Sequence, residues 1–302
     1  MRLRSVLLIS GLLLIGAGCF KATPQPQLSD TPARQSDNLS GDLEISAIEI
    51  DKSFILNEVA DCRVHISYPN LNSLDLPDTV TEQANQMIAA FVARTLGADD
   101  NNNDLQDIER LADNYLDQCG QEITTEYTTL SPTDDELYIN LKRSVDIVYD
   151  VRLNQSSVLS LGLNAYSYLG GAHPNHSFIY LNLDLNGNQL LSLGQLIKSE
   201  HLQDFVQYEK QLLLTNQRDN LYPERIQEFE AIISDQTNLS PEDQTSTYAK
   251  WDSFFLTPTS LITYYNTYDI APYIAGPITV EIPYTDIADY LLPNSPLQDL
   301  VE

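Results

Sequence analysis

The stretch from Leu137 to Tyr168 reads LYINLKRSVDIVYDVRLNQSSVLSLGLNAYSY. Side chains on a strand point alternately to two faces, so apolar residues at every second position mark a half-buried strand. Leu137 to Leu153 and Ser157 to Tyr168 keep close to that period on either side of a polar turn at Asn154-Gln155. Two such runs joined by a short turn predict an antiparallel hairpin, the start of a meander. A third run, Ser177 to Leu185, ends in Asn186-Gly187, the strongest short hairpin signal in the chain.

Working outward, Leu43 to Ile50 and Arg63 to Tyr68 also alternate and read as strands. Asp78 is the expected cap of a helix in which Val80, Ala84, Met87, Ile88, Phe91, Val92 and Leu96 recur at helical spacing. A second helix is expected from Asp104 to about Leu116, and Ile123 to Thr129, rich in β-branched residues after Gly120, reads as a strand. Gly194 to about Asp235 is helical with breaks near Asn220 and Pro223. Trp251 to Leu256, Leu261 to Tyr265 and Thr279 to Ile282 return to strand, followed by a short helix from Tyr284 to Leu291. Helices and strands segregated into runs predict an α+β fold, an antiparallel sheet with helices packed on one face. We divide the folded part into two companion modules, 42–150 and 151–302.

The 302 residues hold 43 acidic and 16 basic side chains, a formal charge of −27 and a pI near 4.2. That excludes a nucleic-acid binder working by counterion release, which needs clustered Lys and Arg. With 42% apolar residues the chain can bury a core and is not a disordered acidic tail. No Lys or Arg follows Lys250, so the C-terminal end carries acid alone. Such a field attracts cationic partners.

At the N-terminus, Arg2 and Arg4 precede the apolar run Val6 to Ile15 and then Gly16-Ala17-Gly18-Cys19. A basic start, a short apolar segment and small residues before a cleavage point make a secretory signal over residues 1–18. Cys directly after the small residues resembles a bacterial lipobox, in which Cys19 is lipidated and anchors the chain to the membrane. Gly16 replaces the usual Leu, which leaves plain signal cleavage as the alternative. Either route removes Arg2 and Arg4 and takes the formal charge from −27 to −29. Residues 19–41, rich in Pro, Gln, Ser and Thr, read as a flexible tether. Export places Cys62 and Cys119 in an oxidising compartment, where two thiols are expected to pair.

The segment Tyr168-Leu169-Gly170-Gly171-Ala172-His173-Pro174-Asn175, the strand Tyr180 to Leu185 with Asn186-Gly187, and the C-terminal run Tyr268-Asp269-Ile270-Ala271-Pro272-Tyr273 together carry a resemblance. They resemble the C-terminal domain shared by the anti-sigma factor RsiV and the peptidoglycan deacetylase PdaC, preceded by its N-terminal companion module. In the anti-sigma factor this domain is an extracytoplasmic sensor that binds lysozyme. In the deacetylase the chemistry belongs to a separate catalytic domain with an Asp-Asp-Gly motif and an H-S-x-x-H pair. Here His176-Ser177-Phe178-Ile179 begins like the second motif, but Tyr180 stands in place of its second histidine, and Asp-Asp-Gly does not occur. The resemblance therefore implies a binding module without catalytic residues.

His173 and His176, with His65 elsewhere, have spacing that a metal could use, but a Gly-Gly turn held by a His-to-backbone hydrogen bond explains His173 without one. The run Asp99 to Asp104 is dense in oxygen ligands yet lacks the Gly and the bidentate Glu of a calcium loop. We expect no metal and no cofactor. Seven of the 17 tyrosines follow residue 247, and Tyr264, Tyr268 and Tyr273 with Asp269 form an amphipathic set of the kind binding surfaces use. The expected contact residues are thus Gly170, Gly171, His173 and Asn175 on one loop and Tyr264, Tyr268, Asp269 and Tyr273 on another. The function expected is a noncatalytic cell-envelope lipoprotein that binds a protein or glycan partner, a basic protein such as lysozyme or the glycan of peptidoglycan. The alternative is a cell-wall glycan deacetylase or hydrolase built from dispersed acids and His173.

Overall fold

The computed structural model describes residues 43–71, 74, 77–98, 107–130, 141–155, 157–234 and 254–301. The signal segment, Cys19, the tether and the Asp99 to Asp104 run lie outside the described residues.

Six strands form the main sheet: β1 (Ala47–Asn57), β2 (Ala60–Pro69), β3 (Lys142–Gln155), β4 (Val158–Tyr168), β5 (Asn175–Asp184) and β6 (Gln189–Leu190), paired in that order. Every pairing is antiparallel except β2 with β3, which run parallel. A parallel pair needs a crossover, and here it is α1 (Asp78–Thr95) followed by α2 (Ile108–Thr129). A second sheet of β7 (Phe254–Leu256), β8 (Ser260–Tyr265) and β9 (Ile278–Pro283) is antiparallel throughout. The mixed α+β architecture with a mostly antiparallel sheet is the one the periodicity predicts.

The main sheet is covered on both faces, and strand alternation decides what covers each. Val64, Ile66, Val145, Ile147, Leu161, Leu163 and Ala165 point to one side and pack in one core with Val80, Ile88, Val92, Leu111, Leu116 and Ile123 of α1 and α2. The intervening residues of β4 and β5, including Ser160, Tyr180 and Asn182, meet the second sheet. Gly162 sits at this junction because a Cβ there would come within 2.4 Å of Asp150 Oδ1 and 2.9 Å of the Tyr180 ring. Beyond the second sheet lie α3 (Leu202–Gln217) and α4 (Pro223–Ser234), which share a further core with β7, β8 and β9. Because β3 runs through residue 150, the sheet is continuous between the two halves of the chain.

A disulfide joins Cys62 on β2 to Cys119 on α2, with their Cα atoms 6.3 Å apart. It fastens the second crossover helix to the sheet it covers. In the chain-entropy model, closing a loop of this size stabilises the fold by about 4 kcal/mol.

Two expectations are corrected. Ile123 to Thr129 is the last part of α2, not a strand. Its β-branched composition suggests a strand, but the buried positions Leu111, Ala112, Leu116, Cys119, Gly120 and Ile123 keep helical spacing through Gly120. The threonines adapt to the helix by bonding backwards: Thr124 donates to Gly120 O and Thr125 to Gln121 O. Gly120 does not end the helix; it lets the Phe54 ring lie against it, where a Cβ would sit 3.0 Å from ring carbon. The second correction concerns caps, since Pro77 is the N-cap of α1 and Asp78 lies in its first turn. In α2 it is Asp107 that caps, accepting from Arg110 N. The hairpin expected at Asn186-Gly187 is present and joins β5 to β6; its positive φ falls at Asn188, at 52°, and Asp184 Oδ1 organises it by accepting from Asn186 N and Gly187 N. Among the described residues no helix is long and apolar enough to cross a membrane.

Candidate functional site

The turn between β4 and β5 has two consecutive glycines at positive φ, Gly170 at 89° and Gly171 at 111°. Such values favour residues without a Cβ. The turn is closed by Tyr168, whose hydroxyl donates to Gly171 O at 3.1 Å, and by Pro174, which precedes the strand. His173 is held against the backbone that follows it, Nδ1 lying 3.0 Å from Pro174 O. A carbonyl oxygen can only accept, so Nδ1 is the donor in this contact.

The partner of this turn is the loop from Asn266 to Pro277 between β8 and β9. Asn266 N donates to Asp269 Oδ2 at 2.9 Å and Asp269 N to Asn266 O at 3.1 Å, a tight local turn with its carboxylate turned inward. Asn266 also reaches the free edge of β5, its Oδ1 accepting from Phe178 N at 2.9 Å. A single side-chain amide thus caps the strand edge and fixes the loop's position. Ile270 and Ala271 are buried beneath, and Gly276 at φ 67° lets the chain turn back into β9.

These two loops meet. The rings of His173 and Tyr273 stack with centroids 4.0 Å apart and planes 24° from parallel. Tyr273 donates its hydroxyl to Pro174 O at 3.0 Å, and Tyr268 brings its hydroxyl to 3.4 Å from His173 Nε2. Tyr268 and Tyr273 lie 5.7 Å apart, and Tyr268 itself holds φ 73°, a strained conformation for a side chain of its size. The outcome is a three-ring ridge with Tyr268 half exposed at 51%. Next to it in the chain stand two further exposed apolar residues, Leu169 at 46% and Ile274 at 83%. Burial, and then the neighbouring Tyr268, push the Tyr273 hydroxyl above its ordinary value, so it stays a donor at physiological pH.

Of the expected contact residues, the structure therefore brings together Gly170, Gly171, His173, Tyr268, Asp269 and Tyr273. Asn175 is exposed at the start of β5 and borders a cavity beside the ridge. Tyr264 is placed elsewhere: it is 5% exposed and packs on Phe178 and Tyr180 between the two sheets. Desolvation raises its hydroxyl well above the ordinary range. His176 turns away from His173, its ring edge-on to Tyr166 at 5.2 Å, and His65 lies on β2 near Glu49. Among the described residues no three His, Cys, Asp or Glu side chains converge as metal ligands. Sequence reasoning missed Pro174 O as the shared acceptor and Leu169 and Ile274 as exposed flanks; the signal for the latter was apolar residues beside turn glycines and prolines.

Residues 57–176 match the model of a family described as deacetylase PdaC, and residues 189–285 match that of a protein of unknown function, DUF3298. The chain carries a PdaC-type module followed by a DUF3298 module. No curated protein matches the sequence. Among solved structures, a member of the DUF3298 family from Bacteroides fragilis is similar with 19% identity and a TM-score of 0.55, covering 84% of this chain and 95% of that one. A DUF3298 family protein from Pseudomonas aeruginosa PAO1 has 18% identity and a TM-score of 0.46, covering 84% and 97%. At that identity the Bacteroides likeness speaks for the fold. Within this frame the Gly170-Gly171 turn closes the PdaC-type module, while Tyr268 and Tyr273 belong to the DUF3298 module, so the ridge is made where the two meet.

Proposed function

We propose that this chain is an exported, lipid-anchored and noncatalytic binding module of the bacterial cell envelope, whose His173–Tyr268–Tyr273 ridge docks a basic protein. One observation carries the reading: two loops far apart in sequence are locked into a rigid aromatic surface that leaves Tyr268, Leu169 and Ile274 in solvent. Rigid aromatic side chains supply contact area at low entropic cost, and tyrosine faces attract Lys and Arg. The chain's charge of −27 adds long-range attraction for a cationic partner. Anchoring rests on Arg2, Arg4, the apolar run and Cys19, with residues 19–41 as a tether reaching from the membrane.

The test uses hen lysozyme as the basic probe and the full chain, by calorimetry at low and physiological salt. A complex that tightens as salt falls, and that weakens at least about tenfold in Tyr268→Ala, is expected for an aromatic anchor. No heat of binding sinks the lysozyme version. For the anchor, Cys19→Ala should move the protein from the membrane fraction to the soluble one, and an unchanged distribution refutes lipidation at that position.

A further inference from the structure

The main sheet ends in two outer strands of very different length. β6 has 2 residues, whereas β1 has 11, about twice the common strand length. Among the described residues only β2 pairs with β1, so the other edge of β1 carries an open backbone ladder. Register tells which residues own that ladder. Asn70 N donates to Ser46 O, and Pro69, which has no N–H, stands opposite Ala47. Hydrogen bonding alternates along an antiparallel pair, so Ile48, Ile50, Lys52 and Phe54 turn their N–H and C=O groups towards β2. Ala47, Glu49, Asp51, Ser53 and Ile55 turn theirs outwards, and all five residues are exposed.

Natural sheets guard a long edge with proline, with a very short strand or with a charged side chain such as lysine. Residues 47–57 contain no proline, and the lysine of this strand is not free to stand guard. Lys52 is drawn onto α2, its Nζ 2.6 Å from Asp113 and 3.2 Å from Glu109, whose own carboxylates stay largely exposed. Arg63, opposite Ser53 on β2, is likewise taken up by Asp61 at 3.1 Å. What remains along the edge is acid. Asp51 lies on one face of the sheet and Glu109 and Asp113 stand over the other, while Glu49 turns back to accept from Ser67 at 2.8 Å. Near the hairpin end Ile55 adds an exposed apolar side chain. A second copy of this chain is a poor occupant, because it would bring together two acidic edges and two chains of formal charge −27. An extended basic segment meets both the ladder and the charge. Its backbone completes the hydrogen bonds, and its side chains, alternating between faces, reach Asp51 on one side and Glu109 and Asp113 on the other.

We propose that the outer edge of β1 docks an extended basic segment of a partner protein, which pairs with Ala47 to Ile55 as an added strand of the main sheet. The site lies at the opposite edge of the sheet from the β5 turn that carries the aromatic ridge, and it stands whether or not lysozyme docks there. The probe is a fluorescent peptide of alternating Lys and Thr, titrated against the full chain by anisotropy. Two controls accompany it: an alternating Glu and Thr peptide, and the Lys-Thr peptide N-methylated at successive central residues, which keeps every charge and blocks both hydrogen-bonding edges. The Lys-Thr peptide should bind, and both controls should bind at least about tenfold more weakly. Ser53→Pro removes one outward N–H and leaves the β2 ladder intact, and Asp51→Lys reverses a charge on the exposed face; each should weaken the peptide about tenfold. Bound peptide should slow amide hydrogen exchange, read by NMR, at Asp51 and Ser53. No binding of the Lys-Thr peptide, equal binding of its N-methylated form, unchanged binding in both variants, or protection confined to residues away from β1 overturns the proposal. A dimer of the chain alone that Ser53→Pro dissociates in sedimentation also overturns it, because a second copy would then hold this edge.

Discussion

The two faces of the six-stranded sheet are held by different physics. On the helix side, apolar side chains of β2, β3 and β4 meet α1 and α2, and one disulfide fastens the contact. On the other side, the second sheet meets it through a small aromatic cluster of Phe178, Tyr180, Phe255 and Tyr264, and buried polar groups fix its position. Ser160 donates to Asn182 Oδ1 at 2.6 Å and accepts from Leu256 N at 3.1 Å, while Asn182 donates to Phe254 O at 2.8 Å. Behind that sheet, Glu209 is fully buried beside Lys210 and accepts from Thr263 and Tyr265. Apolar burial is non-directional and lets helices settle by volume, whereas a buried hydrogen bond has one good geometry. The difference matters because β8 and β9 carry the loop with Tyr268 and Tyr273. Polar clamps that fix the second sheet also fix that loop against the Gly170–His176 turn.

The largest effect is expected on the helix side. Replacing Cys62 and Cys119 by Ala together should lower unfolding free energy by about 4 kcal/mol in urea titrations. Yet lysozyme affinity of the folded fraction should be unchanged, because the ridge is built from the other face. Next comes Lys210→Met, which leaves the Glu209 carboxylate buried without its ion pair. A cost of roughly 3 kcal/mol is expected, at the low end for a broken buried pair because Thr263 and Tyr265 still donate to Glu209. Adding Glu209→Gln should recover part of the loss. Asn182→Ala, which strands Phe254 O and Ser160, should cost about 2 kcal/mol and also weaken ridge binding, since β7 loses its tie to the main sheet. If Asn182→Ala lowers stability and leaves the ridge untouched, the polar side does not set the loop.

Smaller still is Gly171→Ala. Nothing lies within 4 Å of a Cβ built there, so packing costs nothing and the penalty comes from φ 111° alone. About 1 kcal/mol is expected by thermal unfolding, with weaker ridge binding as the turn relaxes. A loss well above that would mean the turn touches more of the molecule than Tyr168, His173 and Tyr273.

The hairpins of β3, β4 and β5 were legible because each strand keeps one apolar face, and the Gly-Gly turn because two glycines before a His-Pro have few other uses. The parallel pairing of β2 with β3 was not legible, since register between distant strands leaves no local trace. The end of α2 misled because threonine propensity speaks for a strand while packing on Phe54 and the disulfide at Cys119 hold a helix. Half of the site could be read: tyrosines after residue 247 and the His173 turn stood out by composition, but that they stack on each other is a tertiary fact. Tyr264 looked the same in sequence as Tyr268; alternation along β8 carried it inward to Phe178 and Tyr180.

The smallest effect tests how well the second face is covered near the ridge. His176 alternates onto that face beside Tyr166, and burial lowers its pKa below the ordinary 6.5. With the folded value depressed, the unfolded chain takes up the proton first. The contribution of this side chain to stability is therefore complete above about 6.5, falls as the pH drops through 6.5 towards the folded value, and then levels off. His176→Gln should flatten that segment of the stability profile relative to the parent chain, and an NMR titration should place the His176 ring below 6.5. A ring that titrates at or above 6.5 would mean that water reaches this end of β5. The ridge would then rest on the His173–Tyr273 stack and the Asn266 clasp alone, and Tyr273→Ala would be expected to abolish docking where it otherwise only weakens it.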